Sequence, residues 1–352
     1  MRMLATCLVV LGAASVAAAD ERNVPGEYAT IQAAVDAAAE GDVVVCGPGV
    51  YAESVVAVKS NITIQGRGAT WDGGEGSCLS LTGDGNAVAG FTFTGGVDQV
   101  VLVGADATVT KCRSEDAGDS FLVIQGSGAV VIGCRAMDAG GDAVVVEGDG
   151  ATLTRVRVMT CGGTGIDVTG NSAAMLGCRV QAAADGGVAV EGDDCTLTRV
   201  KVMGSAAFGF DLTIDSSLVQ GCIAIGSGSE GGAGFVITGN ADTIRGCLAV
   251  HCTSDGFSIS GDGTVMTRDT ASNCEEDGFD IQGGVGVSLQ GCLAVNNGEE
   301  GVENGGTDTD AERCRFVSNE TDVALDGSLE AGFDDFLATF QTGSTTTIVI
   351  GD

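Results

Sequence analysis

Two kinds of charged side chain recur in this sequence at intervals that could build a site. The stretch EEDGFD…NNGEEGVEN, between 275 and 304, carries Asp277, Asp280, Glu300 and Glu303. Carboxylates held at contact distance either share a proton, with one pKa raised, or hold a cation between them. Hard cations take several oxygen ligands, so these four are candidate Ca²⁺ ligands, and Glu276, Glu299 and Asp308 add charge nearby. Glycoside hydrolysis also needs two carboxylates, which makes Asp280 and Glu303, with Asp167 and Asp211 upstream, candidate catalytic residues. The second kind is basic, as in TRVRV (154–158) and TRVKV (198–202). Guanidinium groups match carboxylate and sulfate geometry through paired donors. Arg113, Arg135, Arg155, Arg157, Arg179, Arg199 and Lys201 are therefore candidate ligands for an anionic polysaccharide. The bland alternative is neutralisation by Glu115, Asp116, Asp138 and Asp185, because surface ion pairs need no ligand to persist.

What positions these residues is a repeat. ATLTRVRVM (151–159) and CTLTRVKVM (195–203) differ at two positions and lie two short periods apart. Cys112, Cys134, Val156, Cys178, Val200 and Cys222 follow one another at steps of 22; after an insertion in GSGSEGGAGF come Cys247, Asp269, Cys292 and Cys314. Ten residues after each marker is an apolar residue, two further on is another, and a Gly-Asp or Gly-Asn turn often follows. Alternation over four to six residues bounded by such turns reads as short strands, with no room for a helix in each repeat. A leucine-rich repeat has a compatible length, but its Leu-x-x-Leu-x-Leu frame is missing. The remaining answer is an all-β, single-stranded parallel β-helix of 22-residue coils stacked about 4.8 Å apart, in which equivalent residues form ladders. Asp280 and Glu303 then fall side by side, as do Asp277 and Glu300. Outward columns run Val145, Asp167, Ala189, Asp211, Ser258, Asp280, Glu303 and, two residues on, Glu147, Thr169, Glu191, Thr213, Ser260, Gln282. Lys111, Arg245, Arg268, Arg313 and Arg315 join the seven cations beside the markers.

With that period the chain resembles the right-handed parallel β-helix, or pectin-lyase-like, superfamily over nearly all of its length. YATIQAAVDAAAEGDVVVCGPGVYAESVVAVKSNITIQGRG (28–68) resembles the opening of pectin methylesterases, where a short helix precedes the first strands and a Pro-Gly-x-Tyr turn. TIQAAVDAAA (30–39) is amphipathic with Thr30 as N-cap, suited to covering the open end of the stack and its strand edges. LEAGFDDFLATF (329–340) is the expected cap at the far end, followed by a strand in TTTIVIG. The enzyme motifs that the resemblance would imply do not follow. The Gln-Asp-Thr and Asp-Phe-Ile-Phe-Gly stretches of pectin methylesterases are missing, and so is the ordered Asn-Thr-Asp, Asp-Asp, Gly-His-Gly set of polygalacturonases. A pectate-lyase site needs a base beside its calcium cluster, whereas here cations and carboxylates fall on different faces. His251, the one histidine, reads as a corner residue.

Composition narrows the function classes. Forty-eight Asp and Glu against 16 Lys and Arg give a net charge of −32, which argues against nucleic acid or an anionic membrane as partner. Residues 1–19 have an early Arg, an apolar run and a small-residue end, the build of a signal peptide cleaved after Ala19. Export would favour disulfides among the Cys, but the spacing favours an inward ladder of thiols at one corner: Cys112, Cys134, Cys178, Cys222, Cys247, Cys292, Cys314 and Cys78. Cys161, Cys252 and Cys274 form a second small series, and no C-x-x-C pair suggests zinc.

The sequence thus predicts a signal peptide (1–19), a cap helix with opening strands (20–78), β-helix coils (79–326) and a C-terminal cap (327–352). The expected function is a secreted, cell-surface or periplasmic protein, non-catalytic, whose ladders bind extracellular polysaccharide. A lyase, esterase or hydrolase of acidic polysaccharide is the alternative, and a structural spacer the third. Calcium is the one cofactor suggested; no nucleic acid and no membrane span are expected.

Overall fold

The structure, a computed structural model, describes residues 19–228, 231–321, 323–325 and 348–350. The expected signal peptide, apart from Ala19, and the expected C-terminal cap helix lie outside the described residues. Among the described residues three sheets of 14, 14 and 13 strands run along the stack, and every strand pair is parallel. One coil shows the plan. Thr108–Thr110 lies in the first sheet, Arg113–Glu115 in the second and Leu122–Gln125 in the third, and Val130–Ile132 then returns to the first, 22 residues on.

Strands this short follow from the pattern of burial. In the first sheet the central residue of each triplet, such as Val109, Val131 and Leu153, points inward and its neighbours outward. In the third sheet two residues per strand are buried, such as Val144 with Val146 and Ile166 with Val168. The core is therefore a narrow tube of Val, Ile, Leu and Ala. Beneath the third sheet Phe210, Phe235, Phe257 and Phe279 stack with ring centroids 4.5, 4.8 and 5.1 Å apart.

The corners explain the turn residues. Between the third and first sheets Gly148, Gly170 and Gly192 have φ of 136–147°, and a Cβ on any of them would lie within 2.5 Å of the preceding coil's carbonyl. The Asp or Asn that follows turns its side chain up the stack: Asp149 Oδ1 accepts from the Asn171 amide and Asn171 Oδ1 from the Asp193 amide, each at 2.8 Å. At the corner between the first and second sheets the markers stack as expected, with Cys112, Cys134, Val156, Cys178, Val200 and Cys222 all buried. The thirteen cysteines among the described residues are free and buried. Burial pushes the Cys178 thiol up to about 11. Cys78 is not in this ladder: it precedes Leu79–Thr82 of the third sheet, and Phe91 takes the marker position. Counting fails there because Val43, Thr63, Ala87 and Thr108 are register neighbours at steps of 20, 24 and 21.

At the N-terminal end a helix, Ile31–Ala37, packs buried Ile31, Ala34 and Val35 against the first strands. Thr30 is its N-cap, its hydroxyl accepting from the Ala33 amide at 3.1 Å, and Glu53 accepts from the Ile31 and Gln32 amides. The helix is shorter than the expected 30–39 and does not come first. Glu21–Val24 precedes it and starts the first sheet by pairing with Val43–Cys46, so the opening segment is itself part of the stack.

Candidate functional site

The basic residues divide by backbone position. Arg113, Arg135, Arg157, Arg179 and Lys201 are direct register partners on five successive coils of the second sheet. The inward residue beside them is Ser114, Ala136, Val158, Val180 or Val202, so the cations form one outward column. Successive members are separated by the inter-strand spacing of about 4.8 Å. The next column holds Met137, Met159 and Met203, and terminal guanidinium nitrogens of Arg113, Arg135 and Arg179 rest against these sulfurs of the following coil. Neutralisation by flanking carboxylates is confined to one rung. Arg113 Nε meets Glu115 at 2.9 Å, whereas among the described residues Arg135, Arg157, Arg179 and Lys201 form no ion pair. Asp116 and Asp138 sit instead at a left-handed corner, each with φ of 55°.

Arg155 and Arg199 are not on the strand. They occupy the corner just before it, at φ of 55° and 54°, where neighbouring coils have Gly133, Gly177 and Gly221. Lys111, Arg268 and Arg313 share that corner conformation. Both arginines are exposed beside the column and form no ion pair among the described residues. Arg245 departs from expectation: it ends a strand of the first sheet and donates to Gln220 Oε1 at 2.6 Å. Arg315 is in the column's register, but Ile223, Leu248, Thr270 and Leu293 intervene.

The carboxylates gather on a different face and further along the axis. The outward column of the third sheet runs Asp167, Ala189, Asp211, Val236, Ser258, Asp280 and Glu303, so Asp280 and Glu303 are neighbours as expected. In the loop entering this sheet Asp255, Asp277 and Glu300 stack: Asp255 Oδ1 accepts from the Asp277 amide at 3.0 Å and Asp277 Oδ1 from the Glu300 amide at 2.7 Å. Asp255, Asp277, Asp280 and Glu303 line a cavity of about 510 Å³ with Ser254, Ser258, Glu276, Glu299 and, on one wall, Gly231 and Gly232 of the inserted loop. Oxygens of Asp277, Asp280 and Glu303 lie within 4.8 Å of one another, as do those of Asp277, Glu299 and Glu300. An all-carboxylate donor set of this kind suits a hard cation such as Ca²⁺.

Protons are the other way to relieve the crowding. Burial, reinforced by the Asp280, Glu276 and Glu303 charges, pushes the Asp255 carboxyl up to about 7. Burial, with Glu300, Asp255 and Glu303 adding, takes Asp277 to about 9. Asp280 is raised by burial and by Glu303. The cavity can therefore hold protonated and ionised carboxyls side by side near neutral pH.

Three expectations are corrected here. Asp167 and Asp211 share the column, and burial raises both, but Val236 and Ser258 separate them from Asp280 and they do not line the cavity. Gln282 is not in register with Ser260, because a bulge between Ile259 and Ser260 pairs Ser260 with Gly283; Gln282 instead donates to Asp280 Oδ2 at 2.8 Å. Asp308 lies at a left-handed corner preceding Asp310–Glu312 of the first sheet, away from the cavity. His251 is an exposed corner residue with φ of 54°, as expected. Asp255 and its neighbour Ser254 were missed, although SDGF (254–257) repeats EDGF (276–279) one coil earlier.

No helix among the described residues is long and apolar enough to cross a membrane. No curated protein matches the chain by sequence. Solved structures with the same fold include alginate lyase AlyF-OU02 with G6, at 13% identity and a TM-score of 0.53 over 89% of this chain and 86% of that one. The Siphovirus 9NA tailspike receptor binding domain matches at 10% identity and a TM-score of 0.57, over 94% and 75%. PfbA, a surface adhesin of Streptococcus pneumoniae, matches at 11% identity and a TM-score of 0.51, over 86% and 89%. At these identities the likeness is one of fold. The profile of the right handed beta helix region matches residues 49–202 and 202–334, and the chain belongs to that family.

Proposed function

We propose that this is an exported, non-catalytic protein that binds a linear acidic polysaccharide along the outer face of its second sheet. The observation that carries this reading is the Arg113–Arg135–Arg157–Arg179–Lys201 column, in which only Arg113 has a carboxylate within ion-pair distance among the described residues. In a chain of net charge −32, four stacked cations without such partners repel one another, and an extended anion relieves that repulsion. A polysaccharide with one negative group per ring repeats at an interval close to the coil spacing, so rings and rungs can match over several units. That an alginate lyase with G6 shares the fold is consistent with recognition of an acidic polysaccharide on such a cylinder. Titration of the purified protein with an oligouronate tests the reading. Binding that weakens as salt rises, and falls roughly tenfold or more in Arg135→Gln/Arg157→Gln/Arg179→Gln, is expected. Affinity unchanged by the triple substitution contradicts it.

One observation favours a second reading. The cavity holds carboxyls near neutrality beside the Asp280–Glu303 pair, the requirement for a general acid and a base in glycoside hydrolysis. On that reading the protein releases reducing ends from an acidic glycan and Asp280→Asn abolishes the release. Equal release by the substituted and original proteins removes Asp280 from the chemistry.

A further inference from the structure

The outer face of the second sheet changes character along its length. From Lys201 the cationic column continues in register through Ile223, Leu248, Thr270 and Leu293. The second outward column turns in step, from Met203 to Ile225, Val250, Ser272 and Val295. The residue between the two columns is alanine in all four coils, Ala224, Ala249, Ala271 and Ala294, each fully buried. The flanking Ile, Leu and Val side chains therefore stand on the outside, where they are half-buried. The cations end where the apolar residues begin, on the same line.

We infer that the ligand of this face is an acidic saccharide chain that ends in an acyl or alkyl group. Its anionic units lie on the Arg113–Lys201 column and its apolar end runs over Ile223, Ile225, Leu248, Val250, Leu293 and Val295. This rests on the proposed binding of an acidic chain to the column. Continuity of register lets an extended molecule pass from one region to the other without turning. The stretch from Ile223 to Leu293, apolar except at the Thr270 and Ser272 coil, crosses three coil intervals, about 14 Å, a length suited to a medium or long alkyl chain. A second copy of the protein is a poor occupant. A strip two side chains wide offers on the order of 200 Å², well short of the ~800 Å² per partner of a stable interface. An anionic membrane surface is disfavoured by the net charge of −32.

Two probes with the same oligouronate, one with a free end and one as its dodecyl glycoside below its micelle concentration, separate the contributions. The tail is expected to tighten binding about tenfold or more. Leu248→Asp/Leu293→Asp, two outward positions whose folding is checked by melting, is expected to erase that gain while leaving the affinity for the untailed probe within about twofold. If the untailed probe binds through the arginines and the tail adds nothing, this inference is overturned and the ladder reading survives. A gain that persists in the double substitution also overturns it, as does equally tight binding to anionic vesicles without saccharide. Failure of both probes to bind removes the ladder reading and this inference with it.

Discussion

Asp269 stands where the neighbouring coils place cysteine, between Cys247 and Cys292, and is fully buried. Its Oδ1 accepts from the Cys247 amide at 2.6 Å, and burial pushes its carboxyl up to about 7. An acid whose folded pKa exceeds its unfolded value of about 3.9 costs nothing below that value, and stability is lost as pH rises to the folded pKa. The protein should therefore lose stability between about pH 4 and 7 through Asp269, with Asp242 and Asp255 acting in the same sense and Asp277 extending the loss to about 9. Asp269→Asn keeps the acceptor for the Cys247 amide and removes the ionisation. It should stabilise the protein by about 1–3 kcal/mol at pH 8 and hardly at all at pH 4, read from denaturant melts at the two pH values. Equal effects at both would show that Asp269 does not titrate in this window. Its place in the marker column was legible from spacing, but its ionisation was not, because a sequence gives position in the coil and not the dielectric around it. The same holds for Asp255: the frame places it above Asp277, yet only the packed cavity shows that both carboxyls are buried together.

At the scale of one coil, the corner before the second sheet poses a choice between backbone comfort and charge. A left-handed residue other than glycine costs about 1–2 kcal/mol, and glycine fills this corner at 133, 177 and 221. Arginine at 155 and 199 accepts the strain and sets an exposed cation beside the column, an arrangement more consistent with a ligand than with stability. Arg155→Gly and Arg199→Gly should each raise stability by up to about 1 kcal/mol while weakening oligouronate binding; unchanged or lower stability in both would refute the strain argument. Coil length decided how much else was readable. Where steps were 22, registers such as Arg135 with Arg157 and Asp167 with Ala189 followed by counting. Where a coil had 23 residues the surplus was visible, but its location as a bulge beside Gln282 was not, since many peptide positions can absorb one residue. Opening coils of unequal length hid the place of Cys78 entirely.

Over the whole molecule, one sheet face carries cations on consecutive rungs and then apolar residues, and an adjacent face carries the acidic cavity further along the axis. The ladder could be counted from sequence, whereas the lack of ion pairs on four of its five rungs among the described residues could not, because pairing depends on where the side chains of Asp138 and Asp185 turn. Stacking converts a local preference for arginine into a line of charge with a fixed repeat, which is the property a linear polymer can read. Affinity for untailed acidic oligosaccharides of increasing length measures this repeat directly. Affinity should climb with each added charged unit up to about five and then level, because five rungs carry the column before Ile223. An affinity that is independent of length, or one that keeps rising well past that number, would contradict the ladder reading.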